Sequence, residues 1–155
     1  MIGLRRATPD DAATIARLNA HVQGWHAAQY PDVFHARPDP AGLVAYFAAR
    51  LAEPECAAFL TGDPALGYAI CTLQTREASV FSPAIRRLMV DHIAVAPEAR
   101  RQGHGRALLA AARDLARDLR VDEILLDTWE ANHEAHAFFR AAGFGVRRML
   151  FRAAP

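Results

Sequence analysis

Lysine is absent from the chain: all 18 basic residues are arginine. Genomic compositional bias accounts for that, but it still excludes one site, because a phosphate-binding Gly-x-x-x-x-Gly-Lys-Ser/Thr loop needs its lysine. Cysteine is scarce too. Cys56 and Cys71 each sit in an apolar segment, too few for a disulfide framework and at no zinc-motif spacing, so reduced core thiols are expected. Neither sign of charge dominates. Seventeen acids against 18 arginines leave a net +1, which argues against a dedicated nucleic-acid binder. No stretch approaches the roughly 18 apolar residues of a membrane span, and no N-terminal run resembles a secretory leader. The expectation is a cytoplasmic protein with neither a membrane nor a nucleic-acid partner. Repeats, linkers and low-complexity tracts are missing as well.

What is present is a chain of 155 residues, 52% of them apolar, enough for one core and a single domain over 1–155. Ile2 to Ala7 reads as a short strand. Thr8-Pro9-Asp10-Asp11 reads as a helix start, with Thr8 as N-cap and Asp11 reaching back as in a capping box, and the helical pattern runs to about Val22. From Gln23 to Pro40 periodicity fades, and Trp25, His26, Gln29, Tyr30, Phe34 and His35 stand among prolines. Such a segment either lines a ligand site or fastens a loop to the core. A second amphipathic helix spans Leu43 to Leu51, and strands are expected at Cys56 to Leu60, Leu66 to Thr75, Leu88 to Val95 and Glu123 to Trp129. A helix from Asn132 to Ala142 ends at Gly143, with Phe144 placed for the apolar contact that follows a glycine stop, and a last strand covers Phe144 to Arg152. The strand–helix–strand unit at 88–129 makes the class α/β.

The chain is organised around residues 88–109. An apolar strand stops before Pro97, and a loop of Arg100, Arg101, Gln102, Gly103, His104 and Gly105 opens a helix near Arg106. Loop N–H groups and the first helical N–H groups lack acceptors, and with the helix dipole they suit an anion, best a phosphate. Two glycines permit close backbone approach, and two arginines add forked donors. The dinucleotide fingerprint fits poorly, since its third glycine falls on Leu108 and the loop is too long for its tight turn.

Arg100-Arg101-Gln102-Gly103-His104-Gly105 resembles the Arg/Gln-x-x-Gly-x-Gly/Ala segment of the GNAT superfamily, the GCN5-related N-acetyltransferases. Asp91 to Pro97 resembles that family's fourth strand. Leu126 to Trp129 with Asn132, Ala135, Phe138, Phe139, Gly143 and Phe144 resembles its fifth strand and final helix. The resemblance covers essentially the whole chain. It implies an α/β (α+β) fold: a mostly antiparallel central sheet of six to seven strands, splayed at strands four and five and flanked by about four helices. It also implies acetyl transfer from acetyl-CoA, as co-substrate and without a metal, to a small-molecule amine or a peptide N-terminus. Relatives are often dimers, so a homodimer is expected.

The resemblance also assigns residues. The 100–105 loop takes the diphosphate, and Ile93, Ala94 and Val95 pair with the pantetheine arm as an added strand would. A free N–H near Ile93 or Ala94 becomes the oxyanion donor. Asn132 and Phe138 complete the CoA site, Asn132 also capping its helix. A primary amine of pKa about 10 is protonated at neutral pH, so a base is needed. Asp91 holds the position of a family glutamate, and His92 beside it is the second candidate, expected on the opposite face of the strand. Trp25, His26, Tyr30 and Glu130 are acceptor-site candidates. One departure stands out: relatives often carry a thiolate-protonating tyrosine where this chain has Phe139. His136, one turn earlier, is then the candidate acid. That gap keeps alive a second reading, a catalytically weak acyl-CoA-binding or regulatory protein.

Overall fold

In a computed structural model, which describes residues 2–155, the chain enters its first helix through the expected capping box. The Thr8 N–H donates to Asp11 Oδ2 at 2.9 Å, and Arg5 clamps the same carboxylate at 2.6 Å. The following helix, α1 (Ala12–Gln29), packs with α2 (Pro40–Leu51) on one face of a sheet. Asp39 caps α2 by accepting from the Gly42 N–H at 2.6 Å, and Pro40 occupies the first turn, where no N–H is needed.

Among the described residues the sheet holds five strands in the order β1 (Leu4–Arg6), β2 (Cys56–Thr61), β3 (Gly67–Arg76), β4 (Ile85–Val95), β5 (Ile124–Leu126). The first four pair antiparallel. β5 runs parallel to β4 because α3 (His104–Asp118) crosses between them. The last helix is α4 (His133–Ala141). Side chains alternate across the sheet, which splits the core in two. Ile70 joins Ile15, Leu18, Phe47, Leu60 and Tyr68 under α1 and α2, while Cys71 joins Leu88, Val90, Ala112 and Ala116 under α3. Ile15, Leu18 and Leu108 are each at most 1% exposed, so burial stabilises the fold by roughly 1.5–3 kcal/mol apiece.

Several boundaries differ from the sequence reading. α1 continues through Gln23–Gln29, where the fading periodicity predicts irregular backbone; its aromatics blur the apolar period but do not break the helix, which stops at Tyr30, before Pro31. β4 starts at Ile85 because the β3–β4 ladder extends to Arg76 opposite Ile85. β5 is three residues long rather than seven. The expected strand at 144–152 does not form, so the sheet has five strands instead of six to seven.

β4 carries one residue too many. Ile70 pairs with His92 and Cys71 with Val90, which leaves Asp91 without a partner on β3: a β-bulge. On its other side β4 pairs with β5 only from Leu88 to Val90. Asp91–Val95 therefore presents a bare backbone edge where the two strands part, as the family expectation of a splay requires.

Candidate active site

The loop after β4 is built to leave donors free. Pro97–Ala99 forms a single 3-10 turn, and Gln102 braces it by donating from Nε2 to the Glu98 carbonyl at 2.7 Å. Arg101 (φ 60°) and Gly103 (φ 97°) both take left-handed backbone, which turns the chain into α3. Among the described residues, no acceptor takes the N–H groups of residues 101–106. Six consecutive free donors at the N-terminus of a 15-residue helix make a strong anion cradle. Arg100 flanks it and reaches Glu134 of α4 at 3.6 Å.

Two of the loop residues differ from their sequence roles. The His104 side chain turns inward at 7% exposure, and its Nδ1 has no partner, so only its main chain faces the cradle. Gly105 is small for a packing reason: a Cβ there would lie 2.9 Å from the Phe138 ring. Phe138 thus seats α4 against the start of α3. A hollow of about 310 Å³ opens beside it, lined by Arg106, Leu109, Arg113, Phe138, Ala141 and Ala142.

Asp91 and His92 lie on the same face, not on opposite ones. Asp91 accepts from Arg50 of α2 at 3.0 Å and from the Thr72 hydroxyl. His92 packs edge-on against Phe47 of the same helix, ring centroids 5.7 Å apart. The bulge is the cause, because the inserted residue breaks the alternation between them. His92 is half-buried. Burial pushes its pKa below the ordinary 6.5 and outweighs the raising effect of Asp91; Arg50 and His26 lower it further. The ring is therefore neutral at neutral pH. Its Nδ1 lies 3.5 Å from Tyr68 Oη, which accepts from Asn19 Nδ2 at 2.9 Å. Burial also pushes the Tyr68 hydroxyl well above its ordinary value, so it stays protonated.

Trp25, His26, Tyr30 and Phe34 gather with Trp129 from the β5–α4 connection. His26 stacks on Phe34 at 4.7 Å, and Tyr30 meets Trp129 at 4.4 Å. Tyr30 Oη also accepts from the Ala131 N–H at 3.1 Å. The rings fasten the end of α1 to the approach of α4, and His26 lies near enough to His92 to lower its pKa. Burial lowers the His26 pKa as well. Glu130 is exposed at the rim. Asn132 caps α4 by accepting from Ala135 N–H at 3.1 Å, and His136 Nε2 lies 3.0 Å from the Trp129 carbonyl oxygen. Phe139 is buried against Phe138 and Phe144. His133 and His136 meet ring to ring at 5.8 Å, but no third ligand joins them among the described residues.

A bare strand edge thus leads into an unaccepted row of N–H groups. The profile of the acetyltransferase (GNAT) family matches residues 19–144. The chain belongs to this family. Several solved structures share its fold. A tetramutant of the BH1408 protein from Bacillus halodurans is 20% identical over 99% of both chains, with a TM-score of 0.91. Aminoglycoside N-acetyltransferase AAC(6')-Iy in complex with CoA is 18% identical over 99% of this chain and 95% of that one, TM-score 0.77. A ribosomal-protein-alanine N-acetyltransferase from Brucella melitensis is 17% identical over 99% of both chains, TM-score 0.71. At these identities the likeness establishes the fold alone. None of the curated proteins matches the chain. No helix among the described residues is long and apolar enough to cross a membrane.

Within the GNAT frame, four site residues escaped the sequence reading: Arg50 and Thr72 on Asp91, and Asn19 and Tyr68 beside His92. They come from three elements, α1, α2 and β3, and carry no local motif. The only available signal was weak: Asn19 sits on the apolar face of α1, where a polar residue needs a buried partner.

Proposed function

We propose that this GNAT chain transfers an acetyl group from acetyl-CoA to a primary amine by direct attack, with His92 as the base. The observation that carries the reading is the bare Asp91–Val95 edge running into the free N–H groups of residues 101–106. The cradle is suited to a diphosphate, with Arg100 and Arg101 beside it, and the hollow next to Phe138 to the attached nucleoside. The edge offers Ile93–Val95 to the pantetheine arm, and a main-chain N–H there would hydrogen-bond the oxyanion as the amine nitrogen adds to the thioester carbonyl. The C–N bond forms, the C–S bond breaks, and sulfur leaves as a thiolate of pKa about 8.5 that needs little help.

His92 is preferred to Asp91 as the proton acceptor. Asp91 already accepts from Arg50 and Thr72, whereas the His92 imidazole is neutral and feels the charge of His26 in the aromatic cluster where an acceptor would enter. Arg50 and Asp91 would hold charge balance at the mouth of the cleft, and Tyr68 with Asn19 would fix the ring. The acceptor is a small amine, an amino-acid-like metabolite or a peptide N-terminus. Solved neighbours named for an aminoglycoside and for a ribosomal-protein alanine fit that range.

A second reading, an acyl-CoA-binding protein with little turnover, draws on Phe139: no hydroxyl stands there, and the ring is buried. Free-thiol release from acetyl-CoA, run against amines, amino acids and short peptides, separates the two. Release that depends on one acceptor class supports the transferase. Tight acetyl-CoA binding by calorimetry with no release for any acceptor supports the second reading. The missing lysines keep self-modification almost confined to the N-terminus.

A further inference from the structure

Toward the β3–β4 connection, the sheet face that carries His92 loses its helical cover. Leu88 and Val90 point to α3, so alternation puts Met89, Arg87 and Ile85 of β4 on the same face as His92. The ladder sets Thr72, Gln74 and Arg76 of β3 opposite Met89, Arg87 and Ile85 in turn. α2 ends at Leu51, and its Arg50 meets this face at Thr72 and Asp91. Past that point opens a hollow of about 450 Å³, lined by Leu73–Arg76 and by Ile85 and Arg87. Every lining residue belongs to β3 or β4, so no helix closes it.

The hollow carries positive charge without a counter-charge. Three arginines of the chain are half-buried: Arg50, Arg87 and Arg113. Arg50 pairs with Asp91 and Glu53, and Arg113 donates to the Ala142 carbonyl and lies over the Phe144 ring. Arg87 has only a neutral partner, its Nε donating to Gln74 Oε1 at 3.0 Å. Arg76 beside it donates to the Ser82 hydroxyl at 2.6 Å. Among the described residues neither forms an ion pair, and residues 72–76 and 85–90 contain no acid. The forked donors left on a partly desolvated guanidinium fit a carboxylate.

We infer that Arg87, with Arg76, is a specificity site for a carboxylate on the acyl acceptor, and that this acceptor is the N-terminus of an extended peptide with an acidic residue at its fourth or fifth position.

Distance and charge select that occupant. Arg87 lies five residues before His92. At about 3.3 Å per residue, with one residue kinked out by the bulge, the separation along β4 is about 13 Å. A free amino acid is too short to reach both points. An extended peptide advances at the same rate as the strand, so with its amine at His92 its fourth or fifth side chain stands over Arg87. The two ends of the face differ as such an acceptor requires, with the neutral imidazole and Asp91 at one and two guanidinium groups without acids at the other. The lack of a helical roof leaves room for a chain to lie along it. The inference rests on the transfer reaction proposed above, which puts the reacting amine at His92.

Binding and turnover are read on the same peptides, Ala-Gly-Ser-Gly-Glu-Ser and Ala-Gly-Ser-Gly-Gln-Ser, both amidated at the C-terminus so that the glutamate is the only carboxylate. Calorimetry with CoA present should give the glutamate peptide about tenfold higher affinity, and thiol release from acetyl-CoA should give it about tenfold higher kcat/KM, carried by KM. Placing the glutamate at the second position instead should abolish the preference. Arg87→Gln should bring both ratios close to unity, and Arg87→Glu should turn the preference toward a peptide with arginine in place of the glutamate. Arg86, on the opposite face, donates to the Leu119 carbonyl at 3.0 Å, and Arg86→Gln should keep the wild-type preference. Failure of either peptide to bind, equal affinity for the two, or a preference that survives Arg87→Gln overturns the inference; thiol release with any acceptor would still leave the transfer reaction standing. A glutamate preference in binding that needs Arg87, without thiol release for any peptide, supports the carboxylate site and sinks the transfer reaction.

Discussion

Replacing Gly105 by alanine should destabilise the wild-type protein yet stabilise a Phe138→Ala variant. The new Cβ would sit 2.9 Å from Phe138 Cζ and 3.3 Å from Cε2. Carbon atoms rest at roughly 3.5–4.0 Å, so the ring must move by at least about 0.6 Å. Overpacking of this kind costs about 1–3 kcal/mol. The ring is half-buried and borders the hollow of about 310 Å³, so it has room to swing and a cost of about 1.5 kcal/mol, in the lower half of that range, applies. Against this, alanine is favoured over glycine in a helix by about 1 kcal/mol, less at the second residue of α3, where the turn is only beginning. The expected net loss is about 1 kcal/mol. With the ring removed, only the helix preference remains, and Gly105→Ala should gain about 0.5 kcal/mol. Urea denaturation of the four proteins gives both numbers, provided the denaturant slope is constant. The opposite signs amount to a coupling of about 1.5 kcal/mol. Gly105→Ala changing stability by the same amount in both backgrounds would sink the argument. It would mean that the ring does not constrain the position and that this glycine is small for another reason.

Two further predictions rest on ionisation. If His92 is the base, kcat/KM should fall on the acid side with a midpoint below the ordinary histidine value of 6.5, because burial disfavours the imidazolium. His92→Gln should lower kcat by about 10²-fold or more and remove that limb while acetyl-CoA affinity holds; an unaltered profile would clear His92. Asp11 has its pKa lowered to about 2, chiefly by the Arg5 hydrogen bond, from an ordinary 3.8. The carboxylate therefore stabilises the fold above pH 3.8, and that contribution is lost as the pH falls toward 2. Asp11→Ala should cost about 1 kcal/mol at neutral pH through the lost cap and pair. The difference should shrink as the pH drops from about 5 to about 3; a constant difference would mean the ionised carboxylate is not its source.

The parts of the fold legible in the sequence are those whose physics is local. Thr8 and Asp11 lie three residues apart and Asn132 and Ala135 likewise, so each cap closes within one turn and announces itself. The stop at Gly143 was equally readable: at φ 89°, with Phe144 N donating to Phe139 O at 3.0 Å, it follows from one glycine and the apolar residue after it. The anion loop belongs with these, since its donors are consecutive. Arg50 on Asp91 and Asn19 on Tyr68 bridge 41 and 49 residues, and only the folded sheet brings them together. The failure at 144–152 is of another kind. Strand composition was present, but composition does not say which edge a strand will meet, or whether that edge belongs to the same chain.

The bulge at Asp91 links fold to site. Below it, Leu88 and Val90 face α3; above it, Ala94 packs with the opposite half of the core and Ile93 takes over the α3 side. Strict alternation from Val90 would have placed His92 on the α3 face, against Ala112 and Ala116, with Ile93 directed at Phe47. One inserted residue exchanges the two. It brings the imidazole to Phe47 and Tyr68, and leaves Asp91 free of a β3 partner to meet Arg50. Pairing with β5 ends one residue before it, at Val90 opposite Leu126, consistent with the local twist that a bulge adds. Both the opening of the cleft and the choice of residue that faces it therefore turn on the same extra residue, and nothing in residues 88–95 read alone signals it.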